Sequence, residues 1–199
     1  PAFHLGEEVT ELQPVEGGFR VRTAPGKEFL ARTIFIAGGV GSFQPRKLHL
    51  DGADQLEDRF IHYRVQDQAI FKGKRVAILG GGDSALDWAL ALGPEAAALT
   101  LIHRRDDYRA APASVAQLKA RAASGAVEII ESANATALRL DGDRLTGLEL
   151  AVKDGGSRVL DVDHLLVFFG LSPKLGPIAE WGLTLHKKAI TVDTEAFQT

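Results

Sequence analysis

Arg75-Val-Ala-Ile-Leu-Gly80-Gly-Gly-Asp-Ser-Ala85 contains, in order, an apolar strand, a glycine turn and the start of a helix. Val76 to Leu79 is short and apolar, which is typical of a strand buried on both faces. The pattern Gly80-x-Gly82-x-x-Ala85 matches the glycine fingerprint of dinucleotide-binding folds. Gly80 permits the tight turn, Gly82 lets a pyrophosphate approach the backbone, and Ala85 keeps the helix close to the strand. The segment therefore predicts a phosphate site at the beginning of a helix.

A basic cluster follows the next apolar strand. Ala98–Ile102 is that strand, and it continues into His103-Arg104-Arg105, with Arg109 one turn later. An NAD site would have an acidic residue about 20 positions beyond the glycines to bind the ribose 2′-hydroxyl. Guanidinium groups instead form charge-assisted bonds to a 2′-phosphate. The alternative is that the charges form an ordinary solvated loop. The glycine turn upstream favours the phosphate, and so predicts NADPH over NADH.

Composition excludes several classes of function. The chain has 199 residues, 45% of them hydrophobic and 25% charged, with a net charge of −3, so neither a nucleic-acid nor a membrane partner is expected. It contains no cysteine, which excludes disulfides and thiolate chemistry from these residues. The six histidines show no metal-ligand spacing, and we therefore expect no metal site.

Turn signals and apolar runs predict the organisation of the chain. Residues 1–43 look β-rich, with a buried strand at Ala31–Ala37 that ends in Gly38-Gly39. A helix is predicted from Pro112 until Gly125 ends it. The chain crosses between two regions near 44–50 and again near 170–176, as expected of a nucleotide-binding domain inserted into a second, incomplete domain.

Four segments together resemble a known family, the thioredoxin-reductase-like ferredoxin/flavodoxin–NADP⁺ reductases. They are Gly80-Gly-Gly-Asp-Ser-Ala-Leu-Asp-Trp-Ala-Leu90, His103-Arg-Arg-Asp-Asp-Tyr-Arg-Ala110, Ile36-Ala-Gly-Gly-Val-Gly-Ser-Phe43 and Phe168-Phe-Gly-Leu-Ser-Pro-Lys-Leu175. Thioredoxin reductases share the fold but carry Cys-x-x-Cys ahead of the glycine turn. This chain has Ile61-His-Tyr-Arg-Val-Gln-Asp67 there, so the resemblance implies the fold of those enzymes without their thiol chemistry.

The resemblance implies an α/β fold in which a Rossmann-like NADPH-binding domain, residues 47–172, is inserted into an incomplete FAD-type domain. Residues 1–46 and 173–199 would be the arms of that FAD-type domain. The complete protein would pass a hydride from NADPH to FAD, and electrons on to ferredoxin or flavodoxin. We also expect it to be a cytoplasmic homodimer. Two alternatives stay open: another electron acceptor on the same fold, or a non-enzymatic nucleotide-binding remnant.

The resemblance also assigns cofactor-binding residues but no catalytic acid, base or nucleophile. The pyrophosphate would lie against Gly80, Gly81, Gly82, Asp83, Ser84 and Ala85, with part of the role of Asp83 and Ser84 being helix capping. The 2′-phosphate would bind Arg104, Arg105 and Arg109, and His103 would lie along the adenosine. The flavin side would be lined by Gly38, Gly39 and Val40, where many relatives have Thr in place of Gly38.

Two motifs of the family have no counterpart in the sequence. These are the FAD fingerprint of the N-terminal region and a Gly-Asp motif that follows a segment like Thr194–Thr199. The chain therefore resembles the middle and late part of a reductase, and alone it is expected to be inactive.

Overall fold

The computed structural model describes residues 2–39, 45–153, 155–172 and 174–199. In chain order the strands are β1 (Val9–Val15), β2 (Gly18–Thr23), β3 (Glu28–Ala31), β4 (Ile61–His62), β5 (Arg75–Gly80), β6 (Ala98–Ile102), β7 (Glu128–Ile130), β8 (Ala133–Asp141), β9 (Arg144–Val152), β10 (Ser157–Asp161), β11 (His164–Phe168), β12 (Leu185–His186) and β13 (Ala189–Ile190). The α-helices are α1 (Asp83–Leu92) and α2 (Pro112–Ala123).

The chain divides into two compact units. The central unit is Pro45–Gly170, and the flanking unit combines Pro1–Gln44 with Leu171–Thr199. The central unit is therefore continuous in sequence and interrupts the flanking unit.

The central unit is built on a five-stranded parallel sheet with the strand order β4-β11-β5-β6-β7. Helix α1 connects β5 to β6, and α2 lies between β6 and β7. The run β7-β6-β5-β11 has the 3-2-1-4 order of doubly wound dinucleotide folds. The direction of winding thus reverses between β5 and β11. Ligands of such sheets bind at this reversal, outside the carboxyl ends of the strands.

Both faces of this sheet are buried, which explains why its strands read as apolar runs. On one face Ile78 packs in a cluster with Leu86 of α1. On the other face Leu79 packs in a cluster with Leu148, which belongs to the antiparallel sheet β10-β9-β8. Successive side chains of a strand point to opposite faces of the sheet, so alternate residues of β5 pack into two different hydrophobic clusters.

The α/β prediction with a Rossmann-like parallel sheet is confirmed. Helix α2 begins at Pro112, as predicted, and the chain leaves it at Gly125, whose φ of +78° suits the left-handed residue after a helix. The apolar runs Val76–Leu79 and Ala98–Ile102 form β5 and β6, as predicted.

The flanking unit contains the antiparallel sheet β1-β2-β3 and the small hairpin β12-β13. An apolar cavity of about 340 Å³ lies in this unit, lined by side chains that include Leu12, Ile34 and Trp181. The prediction of a buried strand at Ala31–Ala37 was wrong. Strand β3 ends at Ala31, and within the described part of the chain no strand pairs with the residues that follow, of which Phe35 is 90% exposed. An apolar run can pack as a strand only where a neighbour accepts its backbone hydrogen bonds.

None of the helices in the described ranges is both long and apolar enough to cross a bilayer. No group of three or more His, Cys, Asp or Glu side chains is gathered there in a way that could hold a metal ion.

Candidate nucleotide site

The glycine turn lies at the carboxyl end of β5, where the winding of the sheet reverses. Gly80 is the last residue of β5 and pairs with Phe168 of β11. A Cβ at Gly80 would lie 2.7 Å from the Phe168 carbonyl oxygen and 2.9 Å from the Ala85 Cβ. Glycine therefore lets β5, β11 and the first turn of α1 approach one another closely.

The other two glycines have different neighbours. A Cβ at Gly81 would lie 2.3 Å from the ring of His103, so this position makes room for the histidine. Among the residues that the structure describes, a Cβ at Gly82 would meet nothing within 4 Å. Gly82 is thus the one position of the turn whose missing side chain leaves open space, which is the feature that a close approach of a phosphate requires.

Helix α1 begins immediately after this open position. Gly82 is its N-cap residue, and its carbonyl accepts from the N–H groups of Ala85 and Leu86. The first N–H groups of a helix have no acceptor within the helix, and the dipole places partial positive charge there. The beginning of α1 can therefore hold an anionic phosphate.

Asp83 does not cap α1, contrary to the expectation from the sequence. The N-cap residue is Gly82, which has no side chain, and Asp83 is the first residue of the helix. The Asp83 Oδ1 atom instead accepts from the backbone N–H of Ala111 at 2.8 Å. Ser84 is exposed on the same turn.

The arginines lie on the loop that joins β6 to α2. Arg104, Arg105 and Arg109 are all exposed. Within the residues that the structure describes, none of the three forms an ion pair. The loop is fastened to the glycine turn, since the Arg109 N–H donates to the Gly81 carbonyl at 2.9 Å. Three cations are thus gathered on a loop that contacts the turn.

His103 packs over the turn. Its Nε2 atom lies 2.9 Å from the Asp107 carbonyl oxygen, and because a carbonyl can only accept, Nε2 carries the proton. Its ring stacks on Tyr108, with ring centroids 5.3 Å apart. The contact with Gly81 and the stacking together fix the ring beside the basic loop.

Tyr108 and Glu131 belong to this arrangement, and the sequence did not identify either of them. The Tyr108 hydroxyl donates to Glu131 Oε1 at 2.8 Å. Burial, and secondly this bond to a carboxylate, raise the pKa of Tyr108, so the phenol stays protonated and remains a donor. The only signal in the sequence was the aromatic residue within the basic segment.

Comparison with known proteins agrees with this geometry. The sequence model described as "Pyridine nucleotide-disulphide oxidoreductase" matches residues 2–199. The chain belongs to this family.

Curated relatives in the family are called ferredoxin–NADP reductases. The ferredoxin–NADP reductase 2 of Cupriavidus taiwanensis is 50% identical over 200 residues, which are 100% of this chain and 54% of the relative. The ferredoxin–NADP reductase of Methylibium petroleiphilum is 49% identical over 202 residues, covering 99% of this chain and 55% of the relative. The chain thus spans about half the length of these relatives. The resemblance inferred from the four segments is confirmed.

Solved structures of other reductases share the fold. The thioredoxin reductase of T. acidophilum superposes with a TM-score of 0.82 at 25% identity, over 95% of this chain and 60% of that one. A ferredoxin reductase from Rhodopseudomonas palustris gives a TM-score of 0.70 at 20% identity, over 92% of this chain and 45% of that one. The 199 residues contain no cysteine, so they contribute no thiol pair of their own.

The three residues predicted to line the flavin side are only partly described. Gly39 has a φ of +56°, and within the described ranges a Cβ on it would meet nothing within 4 Å. A Cβ at Gly38 would lie 3.4 Å from the Ile178 Cδ1 atom. Val40 lies outside the described residues. The role of all three in this family member stays a prediction.

Proposed function

We propose that the central unit binds NADPH, as part of a flavin-dependent oxidoreductase that reduces ferredoxin or flavodoxin. One observation carries the proposal. The open position at Gly82 precedes the first turn of α1, and the loop fastened to that turn carries three exposed arginines. The turn suits a pyrophosphate, and the arginines suit a phosphate on the ribose.

The residues of the turn would each contribute in a different way. The backbone of Gly82 and the first N–H groups of α1 would hold the pyrophosphate, with the Ser84 hydroxyl available as a further donor. Gly80 and Ala85 would act by keeping the helix close to the strand, and Gly81 by accommodating His103. Asp83 would act through the loop rather than by touching a phosphate.

The loop between β6 and α2 would determine the selectivity for NADPH over NADH. Arg104, Arg105 and Arg109 would bind the 2′-phosphate, and His103 would lie along the adenosine. Guanidinium groups that lack a carboxylate partner gain more from a phosphate than paired ones, because no existing bond has to be broken.

The chemistry of such a protein comes from its cofactors. NADPH, when bound, would supply a hydride for FAD in the complete protein. The residues of this chain would bind and orient the cofactor, and most of the rate enhancement would come from that positioning. We therefore assign no acid, base or nucleophile to the chain.

The flanking unit is proposed to belong to the FAD-type domain, with arms at residues 1–46 and 173–199 and the NADPH-binding domain at 47–172. Gly38, Gly39 and Val40 would line its flavin side. The names of the curated relatives support ferredoxin as the acceptor. We further propose that the complete protein is a cytoplasmic homodimer.

Replacing Arg104 and Arg105 together with alanine is expected to remove the preference for NADPH. The loss should be about 1–3 kcal/mol, because hydrogen bonds to charged groups contribute on this scale. Calorimetric titration of NADPH and NADH into the wild-type chain and the double variant measures it. Affinity for NADH should change little, since NADH has no 2′-phosphate.

A matched control removes the same charge elsewhere. Arg20 and Arg32 are exposed and lie in the flanking unit. Changing both to alanine should leave the NADPH preference intact. A wild-type chain that binds the two cofactors equally well would contradict the proposed function.

A further inference from the structure

The loop that carries the three arginines is held against the glycine turn and the first residue of α1 by two hydrogen bonds. The Arg109 N–H donates to the Gly81 carbonyl at 2.9 Å, and the Ala111 N–H donates to Asp83 Oδ1 at 2.8 Å. The second bond depends on a side chain and can therefore be removed by substitution. It joins the end of the loop, directly before α2, to the first residue of α1.

A carboxylate at the first position of α1 requires an explanation. Negative charge near a helix N-terminus is favourable for the helix itself. It is unfavourable beside a pyrophosphate, whose charge has the same sign. A side chain in this place that only stabilised the helix would therefore oppose cofactor binding. The bond to Ala111 gives the Asp83 oxygen a different role, which is to restrain the basic loop.

We propose that Asp83 is a positioning residue for the selection of NADPH: its bond to Ala111 holds the arginine loop in the conformation that receives the 2′-phosphate. This inference rests on the proposed function and adds a residue to it. Without the tie, the exposed loop would sample more conformations, driven apart by the repulsion among its three cations. Ordering it would then oppose binding, because immobilising a loop costs conformational entropy.

The rest of the loop has its own supports, so loss of the tie should be partial. The backbone of His103 is fixed by two bonds, since its N–H donates to the Ile130 carbonyl and its carbonyl accepts from the Ala133 N–H. Tyr108, through Glu131, anchors the middle of the loop. Asp83 therefore controls mainly the end of the loop that contains Arg109.

The test compares two substitutions of one residue. Asp83→Ala removes the acceptor, whereas Asp83→Asn keeps a side-chain oxygen for the Ala111 N–H and removes only the charge. We expect Asp83→Ala to weaken NADP⁺ binding about five- to tenfold and NAD⁺ binding less than twofold. Asp83→Asn should keep the wild-type ratio of the two dissociation constants. Both constants are measured by calorimetric titration.

Asp87 provides a matched control on the same helix. It is exposed, one turn further along α1. Asp87→Ala makes the same change of charge without removing a bond to the loop. The ratio of the NADP⁺ and NAD⁺ dissociation constants should therefore stay at its wild-type value.

A second variant removes the bond from the other side. Ala111 has a φ of −55°, which proline can adopt, and proline has no N–H to donate. Ala111→Pro should reduce the NADP⁺ preference as Asp83→Ala does. The double variant should be no worse than either single one, since both remove the same bond. Additive losses would overturn the proposal.

Two further outcomes separate this inference from the proposed function. If Asp83→Ala and Asp83→Asn both tighten NADP⁺ and NAD⁺ equally, Asp83 acts by charge repulsion and the positioning role is overturned, while NADPH binding stands. If the wild-type chain shows no preference for NADP⁺, the proposed function fails, and this inference fails with it.

Discussion

Gly80→Ala is expected to lower the free energy of unfolding by about 3 kcal/mol, through overpacking and backbone strain together. The new Cβ would overlap the Phe168 carbonyl oxygen, at 2.7 Å, and the Ala85 Cβ, at 2.9 Å. Neither of these atoms belongs to a flexible side chain, so β11 or α1 would have to move. The φ of Gly80 is also +155°, a conformation that residues with a Cβ rarely adopt. Urea denaturation followed by circular dichroism measures the loss.

Gly82→Ala is the matched control, two residues further along the same turn. Gly82 has a φ of −102° and open space around its Cβ position, so stability should change by no more than about 0.5 kcal/mol. Binding of NADPH and NADH should both weaken, because the methyl group occupies the space proposed for the pyrophosphate. A Gly80→Ala chain as stable as the Gly82→Ala chain would contradict the packing argument.

The glycine turn shows which parts of the fold were predictable. The apolar strand, the three glycines and the helix start lie within eleven consecutive residues, Arg75–Ala85, so local pattern was sufficient. The role of Gly81 was not visible in the same stretch. It depends on His103, which the neighbouring strand β6 brings to the turn.

Contacts between distant parts of the chain account for most of what the sequence did not show. The Tyr108–Glu131 bond joins residues 23 positions apart, and the Ala111–Asp83 bond joins residues 28 apart. Both depend on the register of the parallel sheet, which a pattern of residue types does not specify. Ala31–Ala37 illustrates the opposite error, because its apolar residues predict a buried strand although no described strand pairs with the residues after Ala31.

The contact between His62 and His164 is another feature that the sequence did not show. His62 and His164 are 102 positions apart, and their spacing suggested no function for either. The strands β4 and β11 run side by side in the central unit and bring His62 Nε2 to 3.1 Å from His164 Nδ1. The edge of the Phe71 ring packs against both imidazoles. Two titratable groups thus share an apolar environment, and the stability of the fold should depend on pH.

Acid is expected to destabilise the central unit by about 3 kcal/mol between pH 6.5 and pH 4. Burial, and secondly the neighbouring His164, lower the pKa of His62 from 6.5 to about 4. Above pH 6.5 this histidine is neutral in both the folded and the unfolded chain, so it causes no pH dependence there. As the pH falls below 6.5, His62 becomes protonated in the unfolded chain but stays neutral in the folded chain. Stability is therefore lost until the pH reaches about 4, where His62 of the folded chain is also protonated.

Asp163 causes a second loss of stability, at lower pH than His62 does. The bond from the Arg75 guanidinium lowers the pKa of this carboxyl from 3.8 to about 2. The stability that the ion pair contributes is present above pH 3.8 and is lost as the pH falls towards 2. The two groups act in the same direction, but of the two only His62 causes a loss of stability that is already present at pH 5.

His62→Gln separates the histidine from all other sources of acid sensitivity. Glutamine keeps a polar side chain facing His164 and cannot take up a proton, so the variant should lose much of the pH dependence between 6.5 and 4. Some should remain, because burial lowers the pKa of His164 as well. The pH dependence of stability is measured as the difference between the urea midpoints at pH 7.5 and pH 4.5. His186→Gln, at an exposed position, is the control and should show the same difference as the wild type. If the urea midpoint of His62→Gln falls between pH 7.5 and pH 4.5 as much as that of the wild type, protonation of His62 does not cause the loss of stability.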